Sequence, residues 1–182
     1  MAESSAHVVY REPFEQILKY GIGAKLTPQL KDKLKALGFD ADNIKPQYPK
    51  ELFTPCVELV RTTLYPHLSR QDGLFRLGES MVEGAAQTIM GKTMLSMARL
   101  IGPEKTLLRS HSQYRAGTNF TEVKLEKVGE RHYQFHMNSG ADIPEFGAGT
   151  LAATLKHTGG KDVKVVPAKL EPPAVTYDIQ WS

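Results

Sequence analysis

The stretches Asn119-Phe-Thr-Glu-Val-Lys-Leu-Glu-Lys-Val128 and His132-Tyr-Gln-Phe-His-Met137 decide the fold class, because apolar and polar residues alternate in both, with one slip before Val123 in the first. This period of two is typical of strands, and Gly129-Glu130 between them predicts a hairpin turn. Residues 143–157 are rich in small side chains and precede a glycine pair, which predicts a helix packed closely on the sheet. Two more strand patterns follow, so the carboxyl-terminal part is predicted to be a β-β-α-β-β unit.

The preceding 110 residues show helical spacing and helical stop signals. Thr27-Pro28 supplies an N-cap and a first-turn proline for one helix, and Tyr48-Pro49 is expected to open another. The predicted fold class is α+β, with an N-terminal helical half followed by a four-stranded antiparallel β-β-α-β-β unit. We expect a single domain over residues 1–182, with a helical subdomain at 1–110 and a sheet subdomain at 111–182.

Composition excludes several classes of protein. The 23 basic residues are interleaved with 20 acidic ones and the net charge is only +3, so nucleic acid is not an expected partner. The single cysteine, Cys56, excludes an internal disulfide and a cysteine-based zinc site, and it suits a reducing compartment. Neither a signal-peptide profile nor an apolar run of about 18 residues is present. A cytoplasmic location without a membrane partner is therefore expected.

One motif suggests nucleotide binding. Residues Ala86-Gln-Thr-Ile-Met-Gly-Lys-Thr93 resemble the phosphate-binding loop G-x-x-x-x-G-K-[ST], with Ala86 in place of the first glycine. That loop requires a buried strand before it, whereas Leu74, Leu77 and Met81 lie upstream at helical spacing. The segment is therefore predicted to be helical, with Lys92 exposed on it.

No residue pattern specifies a reaction, and the domain is not expected to be an enzyme. His132 and His136 lie four residues apart in a predicted strand, roughly 13 Å along it, too far to chelate one metal ion. His111 lies at the junction of helix and strand, where it is either a ligand or base, or a solvent-facing residue.

Two groups of residues are candidates for ligand binding. In the segment that starts at Tyr114, Arg115 offers a fixed fork for an anion and Asn119 offers hydrogen bonds, although both are also ordinary loop and capping residues. The other group consists of methionines at helical spacing, Met90, Met94 and Met97. Methionines so spaced are favoured as core residues, and otherwise they form an adaptable pocket or partner surface.

Three stretches support a resemblance to a known family. They are Leu74-Phe-Arg-Leu-Gly-Glu-Ser-Met-Val-Glu-Gly-Ala-Ala-Gln-Thr88, Leu100-Ile-Gly-Pro103, and Tyr114-Arg-Ala-Gly-Thr-Asn-Phe-Thr-Glu122. The chain resembles a paralogous family of uncharacterised proteins expanded in myxobacteria. The layout of that family is similar to the heme-dependent nitric-oxide and oxygen-sensing (H-NOX-like) domains and to the vinyl-reductase-type sensory domains. The resemblance implies a ligand-sensing module.

The resemblance also implies what a heme site would need. Such a sensor carries an axial histidine on the helix before the sheet and a Tyr-x-Ser-x-Arg motif that holds the heme propionates. Here Lys105 aligns near the axial position, and the propionate motif falls at Met137-Asn-Ser139-Gly-Ala141, which keeps the serine alone. No heme or other cofactor is therefore expected, unless His111 takes the axial role.

The expected function is a non-enzymatic regulatory or sensory domain that binds a small, non-heme, apolar or partly anionic molecule between helices and sheet. The ligand-binding residues are expected to be Met90, Met94, Met97, Tyr114, Arg115 and Asn119. The alternative is an interaction module that dimerises or docks a signalling protein through helix faces. A heme-based gas sensor that uses His111 is the third interpretation.

Overall fold

The structure is a computed structural model that describes residues 6–182. Strand β1 is followed by α1, which continues as one π-helical segment (Ile17–Ile22) and one 3-10 turn (Gly23–Lys25). A short strand then separates the second α-helix from four consecutive helices, and two hairpins joined by one helix complete the chain; a further 3-10 turn lies at Lys50–Leu52. The elements are β1 (Val8–Tyr10), α1 (Arg11–Gln16), α2 (Pro28–Ala36), β2 (Gln47–Pro49), α3 (Phe53–Leu64), α4 (Arg70–Ala85), α5 (Ile89–Leu108), α6 (Ser110–Gly117), β3 (Val123–Gly129), β4 (His132–Met137), α7 (Pro144–His157), β5 (Lys164–Glu171) and β6 (Ala174–Gln180).

The carboxyl-terminal sheet confirms the predicted β-β-α-β-β unit. Its four strands are antiparallel in the order β3-β4-β6-β5, and α7 connects the two hairpins. Along β4, Tyr133, Phe135 and Met137 are buried, and the residues between them are half-buried on the other face. This alternation is the period of two that identified the strand.

The N-terminal half contains the predicted helices, but it also contains elements that were not predicted. Thr27 caps α2 as predicted, accepting a hydrogen bond from the Leu30 amide. The expectation of helices alone is wrong, because β1 and β2 pair antiparallel as a small separate sheet. Tyr48 belongs to β2, and the helix that Tyr48-Pro49 was expected to open begins directly after Pro49, as the 3-10 turn and then α3. The buried Tyr48 ring packs against Phe14. These strands have three residues each, too short for a period of two to be recognised.

The strands of the large sheet begin later than residue 111, where the sheet subdomain was expected to start. Residues 110–117 form α6, and the first strand of the large sheet begins at Val123. Ser110 is buried at the start of α6 and its hydroxyl donates to the Leu107 carbonyl oxygen. Polar residues dominate this short helix, so its sequence lacks the apolar stripe that marks a helix.

Helices α4 and α7 cross at glycines. A Cβ added at Gly78 would lie 2.2 Å from the Phe146 carbonyl oxygen, and one at Gly149 would lie 2.0 Å from the Phe75 carbonyl oxygen. Since only a hydrogen atom fits at either position, the helices pack backbone to backbone. Helix α7 then joins two hydrophobic clusters, one among the N-terminal helices and one on the sheet, to which it contributes Phe146 and Leu151 respectively.

Helix α5 differs from both of these helices. It starts after a break that follows Ala85, with Thr88 as its N-cap, and Lys92 is exposed on it. The preceding element is helix α4, so the helical interpretation of the phosphate-loop-like segment is confirmed. The favoured core position of Met90, Met94 and Met97 is wrong, because all three side chains are exposed. Among residues 6–182, no helix is long and apolar enough to span a membrane.

Candidate functional site

One buried tyrosine lies near two other polar side chains, where α6 and the first turn of α7 meet the sheet. The three residues are Tyr114 on α6, Glu145 on α7 and Tyr177 on β6. Tyr177 is fully buried, and its hydroxyl has no hydrogen-bond partner among the described residues. The same holds for the buried Glu145 Oε2 atom. We call these three residues the α6–α7 polar site.

The fold fixes Tyr177 from two sides. Its register partner in the sheet is Phe135, and the two rings pack edge to face with centroids 6.2 Å apart. Gly147 covers the phenol from α7, where an added Cβ would lie 2.2 Å from the hydroxyl oxygen. Any other residue at this position would displace the ring, so the glycine keeps the hydroxyl at the first turn of α7.

Glu145 and Tyr114 complete the site from the two helices. Glu145 lies in the first turn of α7, where the positive end of the helix dipole stabilises a carboxylate. Tyr114 is partly buried and packs against the sheet cluster, with its ring 5.8 Å from that of Phe135. A carboxyl oxygen, two phenol hydroxyls and the Phe135 ring therefore lie near one another.

The electrostatics keep both phenols protonated. Burial raises the pKa of Tyr114 to about 12. Burial also raises the pKa of Tyr177 far above its usual range, and the nearby Tyr114 and Glu145 raise it further. Near neutral pH both phenols are therefore hydrogen-bond donors, and the Glu145 side chain offers an acceptor oxygen. Such a set can hold a molecule that carries both an N–H or O–H group and an acceptor atom.

The structure disperses the six residues expected to bind ligand. Tyr114 lies in the polar site, while the neighbouring Arg115 points to solvent at the end of α6. Asn119 uses its side chain structurally: its Oδ1 accepts from the Val8 amide at 2.9 Å, and its Nδ2 donates to the Ala6 carbonyl oxygen at 3.0 Å. The three methionines form an exposed group on α5.

Sequence reasoning missed Glu145 and Tyr177. Tyr177 alternates with its neighbours as an ordinary inward-facing strand residue, and Glu145 is a common first-turn helix residue. The one available signal was Gly147 in the small-residue helix, because it indicates a close approach of the helix to another group.

The histidines lie elsewhere. His111 is exposed at the start of α6. His132 and His136 lie on the outer face of β4, where His132 Nε2 is 2.7 Å from Asp178 Oδ2 and His136 Nδ1 is 3.0 Å from Thr176 Oγ1. In the described part of the chain, no cluster of three or more histidine, cysteine or carboxylate side chains could hold a metal ion.

A family model described as a protein of unknown function, DUF2378, matches residues 7–182. The chain belongs to the DUF2378 family. A comparison with curated proteins finds no match. The expectation of an uncharacterised family is thus confirmed.

Solved structures show that this DUF2378 chain has an H-NOX-like fold, as predicted. It is similar to an Fe(II) unliganded H-NOX protein from K. algicida, with a TM-score of 0.65, 13% identity, and coverage of 95% of this chain and 96% of that one. It is also similar to an H-NOX protein from S. oneidensis in the Fe(II)NO ligation state, with a TM-score of 0.66, 12% identity, and coverage of 91% of this chain and 96% of that one. The oxygen complex of an H-NOX domain related to soluble guanylate cyclases is similar with a TM-score of 0.58, 11% identity, and coverage of 95% of each chain.

The side chains of this chain do not fit a heme group. Lys105, aligned near the axial position, is exposed, and the α5 residues buried beside it are Thr106 and Leu107. Ser139, the retained propionate residue, is 3.2 Å from the Thr121 hydroxyl. Helices α1 and α6 are also in direct contact, since a Cβ added at Gly117 would lie 3.1 Å from the Pro13 ring. Within residues 6–182, the positions aligned with the heme motifs therefore supply neither an inward nitrogen for iron nor a cation for the carboxylates.

Proposed function

We propose that this domain is a non-enzymatic sensory or regulatory module that binds a small, non-heme ligand at the α6–α7 polar site. One observation carries the proposal: Tyr177 Oη and Glu145 Oε2 are both buried and both lack a partner among the described residues. Leaving a buried polar group unpaired costs about 1–3 kcal/mol. A molecule that accepts from Tyr177 and donates to Glu145 would remove two such costs at once.

The chemistry of the site selects the ligand. Glu145 is an acidic residue and the neighbouring Arg115 points to solvent, so a neutral or basic ligand suits the site better than an anion. Gly147 and Phe135 leave little space around Tyr177, so the ligand is small. We propose a small alcohol, amide or amine. The phenols are held protonated by burial, so they act as donors and not as nucleophiles, in accord with a non-enzymatic role.

A co-purified ligand gives the first test. The wild-type protein is purified without added cofactor and its native mass is compared with its denatured mass. We expect a discrete extra mass in the wild type and in Arg115→Ala, which changes an exposed residue next to the site. Tyr177→Phe and Glu145→Gln should lose it. An extra mass retained in both of these variants would reject the site, and a clean mass in the wild type would reject tight binding.

The second candidate function is a heme-based gas sensor, which the likeness to H-NOX structures favours. His111 would be its axial ligand, and it would have to turn inward from the surface. An absorption scan of the same preparation separates the two functions. A Soret band that is abolished by His111→Ala would establish heme and overturn the non-heme proposal.

We further propose that the domain works in the cytoplasm beside a signalling partner. Cys56 is the one cysteine of the chain and its buried thiol is free, so the chain has no internal disulfide. This supports a reducing compartment, since disulfides are typical of oxidising ones. Fractionation of the cells that make the protein tests the location directly. Recovery with an exported fraction would contradict it.

A further inference from the structure

One face of α5 is apolar and uncovered. Met90, Met94 and Met97 follow at spacings of four and three, so they lie along one side of the helix. Their side chains are 73%, 61% and 65% exposed. Ile89 and Leu100 flank them at 88% and 89%. We call these five side chains the α5 methionine face.

The segment that carries this face is weakly attached to the rest of the domain. Helix α5 buries Thr106 and Leu107, both near its end. Gly102, with φ of 83° and ψ of 169°, interrupts the helix between this anchored end and residues 89–101. A helix of about 13 residues is marginal in water unless a neighbour packs against its apolar side. The first part of α5 therefore needs a partner surface.

From these observations we propose that a second copy of this chain covers the α5 methionine face. Spacings of four and three are those of a coiled-coil seam, in which side chains of one helix fit between those of another. A two-fold axis between Met94 and Met97 would pair each residue with the other in an antiparallel helix pair. Each of the five side chains is at least 61% exposed, so together they offer an area of the order of the ~800 Å² per partner that a standard interface buries.

The charges of α5 agree with this occupant. Residues 89–103 include Lys92 and Arg99 and contain no acidic residue. Each cation follows a methionine of the face by two positions, which turns it about 200° away around the helix. Two copies can therefore pair through their methionines without bringing these cations together. A lipid surface is a poorer occupant, because helices that bind lipid use tryptophan, phenylalanine and leucine and carry more cations.

Sedimentation equilibrium of the full chain over a wide concentration range tests the proposal. We expect a monomer–dimer equilibrium that Met94→Glu weakens at least about tenfold, since it buries a charge at the seam. Leu170→Glu is the matched control, because Leu170 is an exposed apolar residue on the edge strand β5. This control should dimerise as the wild type does. A monomer at all concentrations, or equal weakening by both variants, would overturn the proposal.

Oxidative cross-linking tests the antiparallel geometry. Mixing Met94→Cys protein with Met97→Cys protein should give a disulfide-linked dimer faster than either variant gives alone. Cys56 does not compete, because it is buried and its pKa is raised to about 12. Faster linkage within one variant would show a parallel or different pairing and overturn the model. Binding of a monomer to anionic phospholipid vesicles that is lost in Met94→Glu would assign the face to lipid instead.

Dimerisation through the α5 methionine face does not depend on ligand binding at the α6–α7 polar site. Tyr177→Phe changes the polar site and leaves the α5 methionine face intact. We therefore expect this variant to dimerise normally even where it loses the ligand. A dimer lost together with the ligand in Tyr177→Phe would contradict the independence of the two surfaces.

Discussion

Helices α7 and α5 are about equally apolar, yet α7 is the most buried helix of the domain and α5 is largely exposed. The difference follows from side-chain size. Small residues along α7, such as Gly149, let its backbone contact that of α4 directly. The long methionine side chains of α5 are exposed and form a face that another molecule can cover. The number of apolar residues therefore does not decide which helix joins the core.

Of the substitutions considered, we expect one in the contact between α7 and α4 to destabilise the protein most. Gly149→Ala places a Cβ 2.0 Å from the Phe75 carbonyl oxygen, so α4 and α7 must separate. We expect a loss of about 3 kcal/mol in the free energy of unfolding, measured by urea denaturation. Ser96→Ala on the exposed side of α5 is the control and should change it by less than about 0.5 kcal/mol. Equal effects of the two substitutions would contradict the backbone contact.

Alkaline pH probes the interior beneath α7. The folded-state pKa of Tyr114 is about 12, above the unfolded value of about 10, so the protonated phenol is favoured in the folded protein. Its contribution to stability is complete below pH about 10 and is lost as the pH rises towards 12. We expect the free energy of unfolding to fall by about 2–3 kcal/mol over this window from Tyr114 alone.

The control for this prediction is Tyr114→Phe, in which the fall should be smaller. Cys56 titrates in the same window, since burial raises its pKa to about 12. Its contribution is common to both proteins and cancels in the difference. Identical pH profiles for the wild type and Tyr114→Phe would show that Tyr114 is solvated in the folded protein.

Loss of one hydrogen bond near the end of α5 is expected to have a smaller effect on stability. The buried Thr106 donates its hydroxyl hydrogen to the Gly102 carbonyl oxygen at 2.8 Å, across the point where the helix is interrupted. Thr106→Val keeps the shape and removes this bond. We expect a loss of about 1 kcal/mol in overall stability and faster amide hydrogen exchange in residues 89–108, with α7 unchanged. Equal acceleration in both helices would show that α5 and α7 unfold as one unit.

The smallest effect concerns the exposed face itself. Met94→Glu replaces one solvated side chain with another in the monomer. At concentrations where the chain is monomeric, we expect thermal denaturation to show a change within about 0.5 kcal/mol. A loss several times larger would mean that Met94 is a core residue after all, as its spacing suggested.

Much of the fold could be predicted because its elements carry their own signals. The β4 alternation, the Thr27 cap and the small-residue pattern of α7 each follow from local chemistry. Strands β1 and β2 could not be predicted from local sequence, because three residues are too few for a pattern. Helix α6 was missed since its polar sequence resembles a loop.

The site was less predictable than the fold. Tyr114 was singled out from its neighbours, but its partners Glu145 and Tyr177 lie more than 30 residues further along the chain. Only the crossing of α6, α7 and β6 brings the three together, and a single sequence does not show which inward-facing tyrosine meets which helix. The hydrogen-bonding capacity of Asn119 made it a candidate for ligand binding, but its side chain instead binds the backbone of Val8 and Ala6.

A high-resolution crystal structure of the protein, purified without added cofactor, decides whether the α6–α7 polar site holds a ligand. We predict electron density for a small molecule that bridges Tyr177 Oη and Glu145 Oε2, and no porphyrin between helices and sheet. A direct hydrogen bond between Tyr177 and Glu145, a single water molecule that bridges them, or an iron porphyrin ligated by His111 would contradict the account.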